Sequence, residues 1–261
     1  MSESDPIRSQ SSGGPISLSN VTVAYDRRPA VHHLSGTFSA GGMTAIAGPN
    51  GAGKSTLVKA LMNQLPVAEG CIDRGELLSC DLGYLPQAAE IDRSFPLSVE
   101  DTVMLGAWHV IGAFRAITAE IAAKARQALS AVGLDGFERR AIGSLSAGQF
   151  QRVLFARLLL QDARVIILDE PFTAIDARTT RDLIDILLSW HREGRTIIAV
   201  LHDFEQVRAH FPETLLIARE QIGWGPTSSV MTAENLLKAR AMAERWDELA
   251  EVCSRPGNRA A

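Results

Sequence analysis

The 261-residue chain predicts an α/β fold, with buried strands alternating with helices, an antiparallel β portion and a mostly helical insert. Three observations lead there. A glycine-rich loop, Gly48-Pro49-Asn50-Gly51-Ala52-Gly53-Lys54-Ser55-Thr56, separates an apolar run at 43–47 from a helical pattern at 57–62. Two later continuous apolar runs, 165–168 and 197–201, suit parallel strands buried on both faces. The interval 88–163 is rich in Ala and Leu at helical spacing, as in 120–132.

Taken in order, residues 16–25 place Ile16, Leu18, Val21 and Val23 in near alternation, broken around Asn20. That is the pattern of a half-buried antiparallel strand. His32 and His33 fall in a predicted loop before the next strand, without a carboxylate or cysteine at ligand spacing, so no zinc site is expected there. The glycine-rich loop then reads G-x-x-x-x-G-K-[ST], and each residue type meets a demand of a triphosphate. Glycines let successive N–H groups point into one concavity. Lys54 can reach the β and γ phosphates, and Ser55 offers a hydroxyl to Mg2+. The next helix presents its N-terminus, where the dipole favours an anion.

Within the insert, Pro96 and Ser98 suit a helix start at Val99, and Ser146 suits the N-cap of a helix running to Gln161. Phe150, Val153, Leu154 and Leu158 share one face of that helix. A helix at 179–190 carries the stripe Leu183, Ile184, Ile186 and Leu187, and a hairpin at 214–224 precedes a helix at 233–252. The predicted organisation is a flexible tail at 1–15, one domain at 16–253 and a polar tail at 254–261. Inside the domain, 16–87 and 163–230 form the α/β core, 88–162 the helical subdomain and 231–253 a C-terminal helix.

Composition excludes several classes. A formal net charge of −4 offers no global attraction to nucleic acid, so no nucleic-acid partner is expected. No stretch approaches the roughly 18 apolar residues of a membrane span. Residues 1–15 lack an apolar h-region, so no secretory signal is expected. Cys71, Cys80 and Cys253 are scattered, which suits unpaired thiols in a reducing compartment and not a zinc site.

The remaining chemistry lies in two segments. Val165-Ile166-Ile167-Leu168-Asp169-Glu170 ends a buried strand on two acids. They could merely begin a helix; beside a phosphate loop, Asp169 suits Mg2+ and Glu170 suits the orientation and deprotonation of an attacking water. Leu145-Ser146-Ala147-Gly148-Gln149 opens a helix and so makes a second anion site. One chain does not easily bring both anion sites onto one phosphate, whereas two copies related by a two-fold axis can.

With these residues in place, the sequence resembles the ATP-binding-cassette (ABC) ATPases from about Ile16 to Val252. The resemblance implies a P-loop NTPase core with an antiparallel β subdomain and a helical insert. It assigns adenine stacking to Tyr25 and Walker A to Gly48 through Thr56. Gln87, in Tyr84-Leu85-Pro86-Gln87, matches the Q-loop glutamine, a ligand of Mg2+ and water. Leu145, Ser146, Ala147, Gly148 and Gln149 match the signature, with Ala147 where the family usually has glycine. Asp169 and Glu170 match Walker B and the catalytic glutamate, Ala174-Ile175-Asp176 the D-loop, and His202 the switch histidine that touches the γ-phosphate.

The same resemblance implies ATP hydrolysis with Mg2+, an ATP-sandwich homodimer, and a separate integral-membrane permease docked on the insert. An extracytoplasmic solute-binding protein would take part indirectly, and the chain itself would sit peripherally on the cytoplasmic face of the inner membrane. The segment from Ile91 to Val103, with Phe95-Pro96-Leu97-Ser98-Val99 at its centre, resembles the ATPases of zinc and manganese uptake systems. Zinc import is the favoured expectation, with manganese, iron or iron-chelate import as alternatives. An exporter subunit or a non-transport cassette ranks lower, since the latter usually carries two cassettes or a long coiled-coil insertion.

Overall fold

The structure is a computed structural model that describes residues 13–25, 28–112 and 116–252, without the side chains of Tyr25, Arg28 and residues 245–252. Most of the two predicted tails, together with Cys253, lies outside the described residues. In chain order the elements begin with β1 (Ile16–Tyr25), β2 (Arg28–Phe38), β3 (Met43–Ala47), α1 (Lys54–Leu61) and β4 (Glu69–Asp73). Next come β5 (Leu82–Leu85), α2 (Val99–Met104), α3 (Trp108–Ile111), α4 (Ala119–Ala131), α5 (Ala147–Gln161) and β6 (Val165–Asp169). The chain continues through α6 (Ala177–Arg192), β7 (Thr196–Val200), α7 (Phe204–His210), β8 (Glu213–Ala218), β9 (Glu220–Pro226), α8 (Thr227–Val230) and α9 (Ala233–Val252).

These elements fall into two compact units. Among the described residues, the first comprises those within 13–16, 37–43 and 73–199. Its strands run in the order β5-β6-β7, and β5 pairs with β6 in parallel, with Leu85 opposite Leu168. All five residues of β6 are buried, as the continuous apolar run requires. The helices α2 and α4 pack against α5, whose Val153, Leu154, Phe155 and Leu158 are buried. Phe155 stacks on Trp190 of α6 with ring centroids 5.8 Å apart. Arg152 binds Asp182 at 2.6 Å and also donates to the Val132 carbonyl at 2.8 Å, so it holds α5, α6 and the end of α4 together.

The second unit comprises the described residues within 17–36, 44–72 and 200–252. It holds an antiparallel three-stranded sheet, in the order β2-β1-β4, and the strands β3, β8 and β9. Strand β8 pairs with β3 in parallel and with β9 antiparallel, the latter being the hairpin expected at 214–224. Helix α1 buries Leu57, Val58 and Leu61.

His32 and His33 correct one sequence expectation, since they lie within β2 and not in a loop. The strand is hard to read because His33 adopts φ 53°, opposite Asn20 at φ 52°, which breaks the period of two in both strands. The irregularity is stitched locally. The His33 N–H donates to Thr22 Oγ1 at 3.2 Å, and its ring Nδ1 lies 2.8 Å from Asn20 Oδ1.

Candidate active site

The phosphate loop belongs to the second unit. Strand β3 delivers five buried residues to Gly48, where the chain turns away with φ 153°. A side chain there is impossible, because a Cβ would stand 2.0 Å from the Ile217 carbonyl oxygen. Gly53 closes the loop at φ 90° as the N-cap of α1, and a Cβ on it would meet the Ala30 oxygen at 2.2 Å. The two glycines therefore set the loop's path by close approach as much as by backbone freedom. Lys54 is only 5% exposed, and its Nζ donates to the carbonyls of Gly48 at 2.9 Å and Pro49 at 2.8 Å. A buried ammonium folded back over the loop at a helix N-terminus gives the loop the charge a phosphate needs.

The same unit positions His202. The Leu201 N–H donates to the Ile46 carbonyl at 3.1 Å, so the exposed His202 leaves level with the end of β3, beside the start of the loop. Tyr25 closes β1, but its side chain lies outside the described residues.

The carboxylates belong to the first unit. Asp169 is fully buried at the end of β6, and Glu170 follows at φ 52°, a left-handed conformation that is uncommon for a residue with a side chain. Register explains what Glu170 meets. With Leu85 opposite Leu168, two further residues on each chain bring Gln87 level with Glu170. Gln87 Nε2 donates to Glu170 Oε1 at 2.9 Å. Thr173, a residue that the motifs do not single out, donates its hydroxyl to Glu170 Oε2 at 3.3 Å. No sequence signal points to it, because the bond joins two side chains across a turn that the left-handed Glu170 creates. Burial pushes the Tyr84 phenol well up, with the charges of Asp169 and Glu90 adding to the effect, so this neighbour stays protonated.

The signature and the D-loop also come together in the first unit. Leu145 is buried and anchors the turn, while Ser146 and Ala147 are exposed. Ser146 caps α5 reciprocally with Gln149: Ser146 Oγ accepts the Gln149 N–H at 3.2 Å, and Gln149 Oε1 accepts the Ser146 N–H at 3.0 Å. Asp176 is the N-cap of α6. Its Oδ1 accepts the N–H groups of Arg178 and Thr179, and its Oδ2 accepts the Thr179 hydroxyl at 2.8 Å. Those bonds, the Thr179 N–H first, hold the Asp176 carboxyl below the usual range. Gly148 faces the same pair, since a Cβ on it would lie 3.4 Å from Thr179 Oγ1 and 3.6 Å from Asp176 Oδ2.

The groups assigned to Mg2+ are the Ser55 hydroxyl, the Gln87 amide oxygen and the Asp169 carboxylate. Each is a hard oxygen donor, the type that Mg2+ selects, so each residue suits the ion by its chemistry, Ser55 in the second unit and Gln87 and Asp169 in the first. Among the described residues no group of three or more His, Cys, Asp or Glu could hold a metal ion by itself.

The ABC transporter family profile matches residues 31–173. The manganese transport system ATP-binding protein MntB of Bacillus subtilis (strain 168) is 38% identical over 228 residues, covering 86% of this chain and 91% of that protein. The zinc transport system ATP-binding protein TroB of Treponema pallidum (strain Nichols) is 36% identical, covering 86% of each. A solved structure described as an inward-facing, metal-chelate type ABC transporter superposes with a TM-score of 0.78 at 28% identity, over 88% of this chain and 90% of that one. The chain belongs to the ABC transporter family, in which it is an ATPase cassette similar to those of metal transport systems.

Proposed function

We propose that this chain is the ATP-hydrolysing subunit of an importer for a divalent metal ion, working with a separate permease on the cytoplasmic face of the membrane. The observation that carries the proposal is the hydrogen bond from Gln87 to Glu170. It joins the residue read as the base to the residue where the helical insert begins, so a shift of the insert reaches the chemistry directly.

In this reading the loop N–H groups and Lys54 bind the β and γ phosphates of ATP, Tyr25 stacks on the adenine, and His202 contacts the γ-phosphate. Ser55, Gln87 and Asp169 hold Mg2+, which when bound neutralises charge on the phosphate oxygens. Glu170 accepts a proton from the attacking water through Oε1, the oxygen that is released when Gln87 turns away. Thr173 keeps Oε2 fixed meanwhile. Ser146 and its signature neighbours, with Asp176, act on the nucleotide of a second copy, so the working unit is a homodimer. Closing and reopening of that dimer drives the permease, which receives its ion from an extracytoplasmic binding protein.

The ion is zinc on the resemblance of residues 91–103, and manganese has equal support from the relatives named above. Deleting the gene in its host tests the proposal by elemental analysis of washed cells. Cellular zinc or manganese is expected to fall and to be restored by the wild-type chain but not by Glu170→Gln. Unchanged levels of both metals, or a rise, would contradict import.

A further inference from the structure

We propose that Arg93 is a positioning residue for Ser146, and through it sets how readily two copies close on ATP. The proposal rests on the reading that Ser146 acts on the nucleotide of a second copy. It begins from a seam in the first unit, where residues 93–100 run beside residues 138–146. The Val99 N–H donates to the Arg140 carbonyl at 2.9 Å, Glu100 to Glu138 at 3.0 Å, and Ile142 to Leu97 at 3.0 Å. Ser98 and Ala141 form an isolated antiparallel bridge within it. The two segments are thus joined through their backbones.

Arg93 extends that seam to the signature. Its Nη2 donates to the Ile142 carbonyl at 3.2 Å and to the Leu145 carbonyl, and its guanidinium lies 4.8 Å from the centroid of the Phe150 ring. Gly143 allows the approach, because a Cβ there would stand 2.9 Å from the Arg93 carbonyl oxygen. The Leu145 carbonyl belongs to the peptide group that ends in the Ser146 N–H. That N–H is bound in turn by Gln149 Oε1. The peptide on which Ser146 hangs is therefore held at its oxygen by Arg93 and at its hydrogen by the capping box. Turning it would swing the Ser146 hydroxyl and the exposed first N–H groups of α5 away from any phosphate they are to meet. A guanidinium can bond both carbonyls through Nη2 while its plane lies over the Phe150 ring; a lysine ammonium is a point charge on a different stem and loses that planar contact.

The consequence is directional. Binding of ATP to the phosphate loop does not use Arg93, whereas capture of that ATP by the second copy does. The measurement is the ATP concentration that half-converts monomer to dimer, by light scattering in the Glu170→Gln background, with and without Arg93→Met. Loss of a charge-assisted contact at this position should raise the midpoint about tenfold. The ATP affinity of dilute monomer should stay within about twofold of the parent, since the loop is untouched. Arg93→Lys should give an intermediate midpoint, and hydrogen exchange at the Ser146 and Gln149 amides should quicken in it while the middle of α5 keeps its protection. An unchanged midpoint, an equal loss of monomer affinity, or unchanged exchange at those two amides would each overturn the proposal. If the Glu170→Gln parent itself never dimerises, the two-copy reading fails first and this proposal falls with it.

Discussion

Lys54 shows how a single residue can be legible in sequence and still be explained only by structure. A cation this buried survives because two loop carbonyls solvate it, and they also aim it into the loop. Lys54→Ala should therefore lower ATP affinity by at least about tenfold in calorimetry, the order of a lost charge-assisted contact, with little change in thermal stability. Unchanged affinity would refute the role. Thr173 is the opposite case. Its hydroxyl matters only because Glu170 takes a left-handed turn that brings Oε2 within reach, a geometry that no motif encodes. Thr173→Val should cut kcat roughly threefold to tenfold with KM nearly constant, and Thr173→Ser should restore it, as for an interaction made more fully in the transition state. Equal kinetics for all three would remove Thr173 from the mechanism. The glycine-rich loop, Asp169 and Glu170 could be read directly because phosphate and Mg2+ chemistry dictates residue type and order. Arg93 could not, since its targets are backbone carbonyls some fifty residues away, which leave no trace in sequence spacing.

At the level of elements, strands buried on both faces were the easiest to recognise: β3 coincides with its apolar run, and β6 and β7 match theirs to within one residue. Strand β4 has only Ile72 partly covered among exposed neighbours, so it carries no apolar pattern to recognise. Helix α6 starts at Ala177, two residues before the predicted point, because Asp176 caps it from a segment read only as the D-loop. Two substitutions separate fold from function at this scale. Gly106 lies just past α2, where a Cβ would come 2.2 Å from the Arg157 carbonyl oxygen of α5. Gly106→Ala should cost about 1–3 kcal/mol by forcing the helices apart, measured as a shift of the denaturation midpoint. Ser98 caps α2 through a reciprocal pair with Asp101, and Ser98→Ala should cost about 1 kcal/mol while leaving ATP affinity unchanged. A full-sized loss of ATP binding in either variant would mean that the insert and the loop are not energetically separable.

For the molecule as a whole, the alternation of buried apolar runs with helical stretches pointed to the α/β fold that the structure has, and no described helix is long and apolar enough to cross a membrane. The permease, the ion and the second copy that the proposed function invokes would lie outside this chain, which is why motif reading reaches the cassette and stops short of any cargo. The acids Glu100 and Asp101 stand in the first turn of α2, part of the insert on which the family resemblance places the permease. Reversing their charge should impair metal uptake more than basal ATP hydrolysis, and equal loss of both would place them outside the permease contact. The central claim is that a serine-led helix start from one copy completes the phosphate site of another. Light scattering of the Glu170→Gln variant, with and without MgATP, tests it most directly. A monomer without nucleotide and twice that mass at saturating MgATP are the expected results, with reversion to monomer when Ser146 is replaced by a bulky residue. A particle that keeps its monomer mass at saturating MgATP, while calorimetry shows the nucleotide bound, would contradict it.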